Sequence, residues 1–378
     1  MKVKKITALL LAGAIMASTV TGCGINKNAT LATIGDTKIS LGLVNFMCRY
    51  QQAVYDDMYT MYGMDDPWNQ DLSGSGSTTA ESTKDSVVES VHELYTLKLH
   101  MDDYDVEITD DEKKEIQDTA KEFMDSNSKD ALNEMGATED IVEEMLTLYK
   151  IKAKMTVAIE ADADTNVSDD EANMRSYTLL TINTDSYQDD DGNTVEYTDE
   201  EVDNLKDEAA AIDKQLESGK SDITKVGESY GLTAESDQTY DADDDSLDED
   251  LKKALDELKE GETSSEIDTD TAIYFARIDS DHDEEATEQN RQSIIDERKD
   301  TLYSDTLEGW QEDDGWKIKE KLLKKISFFN RFTQETETEE ATESTESVVD
   351  TENSTENLEA TEATTEATEV ENTTESAE

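Results

Sequence analysis

Proline is almost missing from this chain: Pro67 stands alone among 378 residues, where average usage of about 5% would give roughly 19. Proline removes a backbone donor and clashes inside helices, so its scarcity suits a helix-rich body. Cysteine is nearly as scarce, with Cys23 and Cys48 the only two. Cationic residues are also few: 33 Lys plus Arg face 95 Asp plus Glu, for a formal net charge of −62. That balance excludes non-specific nucleic-acid binding, which needs a basic footprint. It favours solubility and repulsion between copies. The three histidines, His92, His100 and His282, show no ligand spacing, so a zinc or haem site has no support. No nucleophile motif, phosphate-cradling loop or paired-carboxylate signature rises above what 95 acids give by chance. The sequence calls for no cofactor and no metal.

What is present starts at the first residue. Lys2, Lys4 and Lys5 form a positive segment, and Ile6 to Val20 is uncharged and mostly apolar. That run is too short to span a hydrocarbon core of ~30 Å comfortably. The Val20-Thr21-Gly22-Cys23 run that follows resembles the lipobox of bacterial lipoproteins. The resemblance implies a leader over 1–22 and a lipid on the thiol of Cys23. The alternatives are an ordinary secretory signal or a membrane anchor. Several acyl chains hold a protein stably to a membrane where one does not. The expectation is a protein on the extracytoplasmic face of a bacterial cell membrane, without ATP. Lipidation would leave Cys48 as the sole thiol and allow no intrachain disulfide.

Composition then divides the chain. Thr333 to Glu378 is a Thr/Glu/Ser/Ala tract without Lys, Arg or aromatics, too polar to offset its ordering entropy, so disorder is expected there. Leu72 to Thr79 has the Gly/Ser content of a loop between helices. Residues 31–39 form two extended runs around Gly35-Asp36, a hairpin pattern. Ser40 is placed to cap a helix running to about Tyr62, with Val44, Met47, Cys48, Tyr55, Met58 and Tyr62 as its apolar stripe. Helices are expected at 81–103, 110–125 (capped by Thr109), 128–135 and 139–161, where Lys152 alone interrupts the apolar face. Strands at 177–182 and 272–278 then bracket helices at 199–218, 221–229 and 247–260. A long helix over 284–308, a strand at 316–319 and a basic amphipathic helix at 320–326 close the series. Strand, helices and strand flanked by helical segments indicate an α+β domain inserted in a helical one.

The inserted segment resembles a known family. Leu216-Glu-Ser-Gly219 followed by 223–230 is similar to the lysine-rich helix, glycine and second helix with a serine-tyrosine turn of parvulin-type prolyl isomerase domains. Residues 247–264 resemble the parvulin helix with its Gly-Glu-x-Ser exit, and Ile273-Tyr-Phe-Ala-Arg-Ile278 resembles the closing strand. The hairpin and helix after Cys23, with Trp310 to Ile326, resemble the two ends of PrsA/SurA-type extracytoplasmic foldases. The resemblance implies an α+β fold: an all-helical chaperone domain built from both chain ends (23–170 and 284–332) around a parvulin-like insert at 171–283 with a small antiparallel sheet.

The active-site pattern of parvulins does not carry over. Thr178 stands where the first signature histidine would, Tyr274 where the second would, and Leu251 where an aromatic is expected. Gln238 to Asp245 replaces the Gly-rich run and puts Asp243 to Asp245 near the expected pocket mouth. Prolyl isomerisation breaks no covalent bond; its catalyst must favour the twisted amide in a dry, shaped pocket. Thr178 and Tyr274 keep hydrogen-bonding capacity but not an imidazole's shape or tautomers. Weak or lost isomerase activity is therefore expected, from a domain kept for structure or client contact.

Client contact is assigned to Leu180, Leu251 and Phe275 in the insert and to Met58, Tyr59 and Met61 in the first helix, where Met and aromatic side chains adapt to varied apolar partners. Core packing is the competing account of that helix. Cys48, on the buried stripe, is expected to be a packed thiol. Asp189-Asp-Asp191-Gly192 has an EF-hand-like core but lacks the first and the bidentate ligands, so a hairpin turn is expected. Lys317 to Arg331 is either a membrane-surface helix or the closing piece of the helical domain, and packing is favoured. The resulting expectation is a lipid-anchored folding factor that binds unfolded secreted polypeptides in a cleft between the two domains. An active prolyl isomerase and a cation- or ligand-binding surface lipoprotein are the rivals.

Overall fold

A computed structural model describes residues 15–17, 25–189, 191–219, 222–330 and 332–334. Cys23, where a lipid was expected, most of the expected leader over 1–22 and the acidic tail from 335 lie outside the described residues. Ile15–Ala17, within the run expected to be a leader, is a strand, β1. The expected hairpin is β2 (Thr30–Ile34) and β3 (Thr37–Ser40), turning at Gly35 with φ +51, a left-handed value that glycine adopts without strain. Ser40 accepts a 3.1 Å hydrogen bond from the Leu43 amide and starts α1 (Leu41–Met61). Reciprocal caps by Thr78 with Glu81 and Thr109 with Glu112 start α2 (Thr79–Leu99) and α3 (Asp110–Ser126). Then come α4 (Lys129–Met135), α5 (Glu139–Glu160) and the short α6 (Asp169–Ala172).

The insert follows. It contains β4 (Arg175–Asn183), a small hairpin of β5 (Ser186–Gln188) and β6 (Thr194–Glu196), α7 (Asp199–Glu217) and α8 (Ile223–Ser229). It continues through β7 (Ala234–Tyr240), α9 (Glu249–Glu257), β8 (Ile267–Asp268) and β9 (Ala272–Ser280). Four strands form an antiparallel sheet in the order β7-β4-β9-β8. Alternation along β4 and β9 gives the sheet two apolar faces. Leu180, Ile182, Ile273 and Phe275 pack against α7 and α8. Tyr177, Ala276 and Ile278 pack against Leu251 and Leu255 of α9. Gly227 lets α8 approach closely, since a Cβ there would lie 2.7 Å from Leu180 Cδ1. The Asp189 carboxylate accepts from the amides of Asp191 and Asn193, which makes the acidic run a hairpin turn.

The chain returns through α10 (Glu284–Gln311), β10 (Lys317–Ile318), α11 (Glu320–Leu323) and β11 (Phe332–Gln334). Arg291 and Arg298 hold the outgoing segment, binding the carbonyls of Val167 and Asp164 and the carboxylates of Asp169 and Glu171. Further along, Leu302, Tyr303, Leu307 and Trp310 cover Leu97, Ile151, Met155 and Ile159. Lys152 is not a defect in the α5 face: it pairs with Glu93 at 2.8 Å, and the Tyr303 hydroxyl donates to the same carboxylate. The two ends of the chain meet in a three-stranded sheet, β10-β2-β3. Trp316 stacks on His92 at 4.2 Å, and His92 and Thr96 both bond Asp314. The body is thus helical but not all-helical, because its ends join through strands.

Residues after α11 fold back onto α1, which resolves the choice between a surface-lying and a packed segment. Ile326, Phe328 and Phe332 are in the core. A buried polar ladder on α1 receives them. Arg49, 1% exposed, donates to the carbonyls of Ser327 (3.2 Å) and Phe329 (2.7 Å) and to Gln52. Gln52 donates to the Asn330 carbonyl at 3.0 Å and to Asp56. Asp56 accepts from Trp68 Nε1 and from the Phe332 amide, each at 2.8 Å. The Arg49 guanidinium also lies over the Phe329 and Phe332 rings, 4.5 and 4.8 Å from their centroids. Burial pushes the Asp56 carboxyl up, while the Phe332 amide and Trp68 pull it back. Of the expected stripe on α1, Val44, Met47 and Cys48 are core, whereas Tyr55 and Tyr62 are exposed. Past Arg49 the helix turns the ladder inward instead, and Tyr55 and Tyr62 lie away from it. Burial pushes the Cys48 thiol up to about 12, as for an inert packed thiol.

Candidate functional site

The insert was expected to bring Thr178, Leu251 and Tyr274 together. It joins only two of them. Tyr274 pairs with Thr181 in the β4–β9 register, and Thr178 pairs with Arg277. Strict alternation between those positions puts Thr178 and Tyr274 on opposite faces of the sheet. Thr178 is buried on the Leu180 side, where its hydroxyl donates to Asp279 at 2.6 Å, and Asp279 in turn binds the Arg277 guanidinium. Tyr274 is half-buried on the α9 side with Leu251, Leu179 and Leu247. Desolvation and the nearby Asp248 raise the Tyr274 phenol, so it stays neutral. At Tyr177, desolvation and then Asp244 do the same. Acidic groups therefore do crowd the rim of this face. No hydrogen bond joins Thr178 to Tyr274 across the sheet.

The client-contact assignments also need correction. Leu180 and Phe275 are fully buried between the sheet, α7 and α8, and Leu251 is 3% exposed under α9. They are core residues of the insert and cannot touch a partner without unfolding it. In α1, Met58 is half-buried and Tyr59 packs edge-on against Trp68 at 5.5 Å. Met61 is 78% exposed at the helix end.

A cleft that the sequence reading missed opens on the helical body between α1, α2 and α5. Its volume is about 220 Å³, and Met47, Tyr50, Val54, Tyr55, Met145 and Tyr149 line it. Polar atoms enter from Gln51, Ser86 and Ser90 on the rim. The lining comes from three helices far apart in sequence. The signal available beforehand was that Tyr50 and Val54 lie one turn apart on α1, as do Met145 and Tyr149 on α5. A second, wider cleft of about 790 Å³ lies between α10, the 162–164 segment and the insert. This is the inter-domain space expected to hold clients, and carboxylates crowd it: Asp162, Asp164, Glu171, Asp241, Asp243 and Glu297 border it, with Ile294, Leu302 and Arg298 among them. Among the described residues no cluster of His, Cys, Asp and Glu could hold a metal ion. Among them, too, no helix is long and apolar enough to cross a membrane.

Residues 170–290 match the family model described as the PPIC-type PPIASE domain. The chain therefore carries a domain of that family, and the match spans the whole four-stranded sheet. No curated protein matches the chain. Among solved structures it is similar to the foldase protein PrsA from Lactococcus lactis, with 14% identity, 79% of this chain and 100% of that chain covered, and a TM-score of 0.31. PrsA from Bacillus cereus gives 15% identity, 69% and 98% coverage and a TM-score of 0.27. A SurA-like chaperone structure from Campylobacter jejuni gives 12%, 77%, 99% and 0.26. The family-model match, rather than these likenesses, assigns the domain.

Proposed function

We propose that this chain is a membrane-anchored extracytoplasmic folding factor of the PrsA/SurA type, which holds extended segments of unfolded secreted polypeptides and contributes little prolyl isomerisation. The observation that carries the reading is the open apolar cleft of the helical body, lined by methionine and tyrosine beside a PPIC-type domain. Methionine and tyrosine give contact area without demanding one partner shape, as a holdase needs. Serines on the rim can meet a client's peptide groups. A net charge of −62 keeps loaded copies apart and limits co-aggregation. Binding and release run as equilibria, because the sequence has no phosphate-cradling loop and the compartment no ATP. Anchoring would come through a lipid on Cys23.

Suppression of light scattering by a reduced, unfolded model protein tests this. The full chain at stoichiometric ratio should lower the scattering, and Tyr149→Glu with Tyr55→Glu should abolish most of that effect at unchanged circular dichroism. Unchanged scattering with the unmodified chain sinks the proposal. Isomerase catalysis is the second reading, favoured by the family match. The separation of Thr178 from Tyr274 argues for a slow or absent rate, which a protease-coupled X-Pro peptide assay measures directly.

A further inference from the structure

The leader residues Ile15–Ala17 do not hang free; they complete a sheet. β1 pairs antiparallel with β11, matching Ile15 to Gln334, Met16 to Thr333 and Ala17 to Phe332. The new strand runs beside α4, while β11 itself rests on α1. β11 is firmly seated from beneath: its Phe332 amide donates to Asp56, and its Phe332 ring lies under the Arg49 guanidinium. Neighbouring residues of a strand turn their peptide groups to opposite edges. With the Phe332 amide committed to Asp56, the Thr333 amide and carbonyl face the outer edge, where Met16 pairs. One side of β1 is bounded by α4, whose Ala131, Leu132 and Met135 belong to the apolar core of the helical body.

We infer that the outer edge of β11, with α4 as its wall, is a docking slot for an extended, uncharged apolar segment of another polypeptide, and that the chain's own leader fills it until processing. This deepens the folding-factor proposal and rests on its lipoprotein reading for removal of 1–22. Strand addition to an exposed edge takes affinity from backbone hydrogen bonds and is tolerant of sequence, which suits varied clients. The segment that β11 pairs with, Ile15-Met16-Ala17, is apolar and uncharged in sequence, and that sets the class of occupant. Once β1 is gone, the Thr333 peptide groups and the α4 wall lose their cover, and an edge so exposed seeks a partner.

The test uses a fluorescein-labelled peptide of residues 11–20 and fluorescence anisotropy. The mature polypeptide, 23–378 with Cys23→Ser, should bind it saturably, and the full chain with Cys23→Ser at least tenfold more weakly. Thr333→Pro in the mature polypeptide removes the outward amide and should weaken binding at least tenfold. Met16→Pro in the full chain should dislodge the leader and restore binding; it changes no residue of the mature polypeptide, so it decides the matter even if Thr333→Pro fails to fold. Equal binding by full and mature chains, or indifference to both proline variants, overturns the inference. So does a mature dimer that Thr333→Pro dissolves while no peptide is taken up, since the edge would then be a self-interface. Suppressed scattering without peptide binding sinks this slot and spares the folding-factor reading; peptide binding without suppressed scattering does the reverse.

Discussion

The helical body and the insert solve the same burial problem in different ways. The insert is one continuous stretch whose sheet carries an apolar layer on each face, so its core closes from residues within about 110 positions of one another. The body closes only when the end of the chain returns. Its ladder joins Arg49, Gln52 and Asp56 to backbone groups 276 to 280 positions away. Closing a long loop costs conformational entropy before any contact rewards it. The comparison teaches that the insert can fold while the body still waits for its final strands. It also shows where the buried charge went. The body accepts Arg49, Asp56 and Lys150 in its interior, whereas Arg175 of the insert binds carbonyls and Asp281 at the sheet's margin.

The largest effect should come from cutting the ladder. Arg49→Ala takes the donor from the Ser327 and Phe329 carbonyls and from Gln52 Oε1, a loss of about 3–5 kcal/mol by analogy with broken buried pairs. Amide hydrogen exchange should show α1 and 323–332 exchanging faster while β4 and β9 stay protected. If β4 and β9 lose protection equally, the two regions are one cooperative unit and the contrast fails.

Gly227→Val is the reciprocal cut. It drives a branched side chain into Leu180 and should cost about 1–3 kcal/mol through overpacking. Loss of protection should then be confined to the insert, with Trp68 fluorescence of the body unmoved.

A third prediction sharpens the electrostatic half of the comparison. Burial pushes Glu112 up, but hydrogen bonds from Lys154 and from the amide and hydroxyl of Thr109 outweigh it and bring the carboxyl from 4.5 down to about 2. A carboxyl depressed in the folded state stabilises above its unfolded value and loses that contribution as pH falls through the folded one. The body should therefore lose on the order of 2 kcal/mol between pH 4.5 and 2 through this group. Urea titrations of Glu112→Gln should show a shallower acid limb. A limb as steep as the unmodified chain's would remove Glu112 from the account.

The smallest effect is expected in the insert's former catalytic positions. Thr178→Val should cost about 1 kcal/mol through its lost bond to Asp279. Neither it nor Tyr274→Phe should change an X-Pro isomerisation rate by more than about twofold, against the 10²–10⁴-fold typical of a positioned acid or base. A hundredfold drop in either variant would restore the pocket to the insert.

Much of the fold was legible because its signals are local. Ser40 and Thr109 mark helix starts to the residue, and the β2–β3 hairpin follows from Gly35 between two apolar runs. β7 was not legible. Ala-Glu-Ser-Asp-Gln-Thr-Tyr is polar along most of its length, and a bulge near Asp237, at φ +59, breaks its alternation. It is a strand because β4 offers it an edge. The cleft lining was hidden for a related reason: Met47, Met145 and Tyr149 each fit an ordinary core stripe, and only the crossing of three helices leaves a gap between them.

What the sequence determined by itself was the kind of chain this is: an apolar N-terminal run, capped helices, a strand-helix-strand insert of one family and a strongly acidic composition. Each of those is written within a turn or a short window. Tertiary structure alone decided that Thr178 and Tyr274 part company, that Leu180 and Phe275 are core, and that Arg49 is buried. Facing direction depends on register with a distant partner, and a one-residue change in pairing reverses it. The same holds for Arg49: a cation on a helix becomes interior only when residues 327–332 arrive to satisfy it.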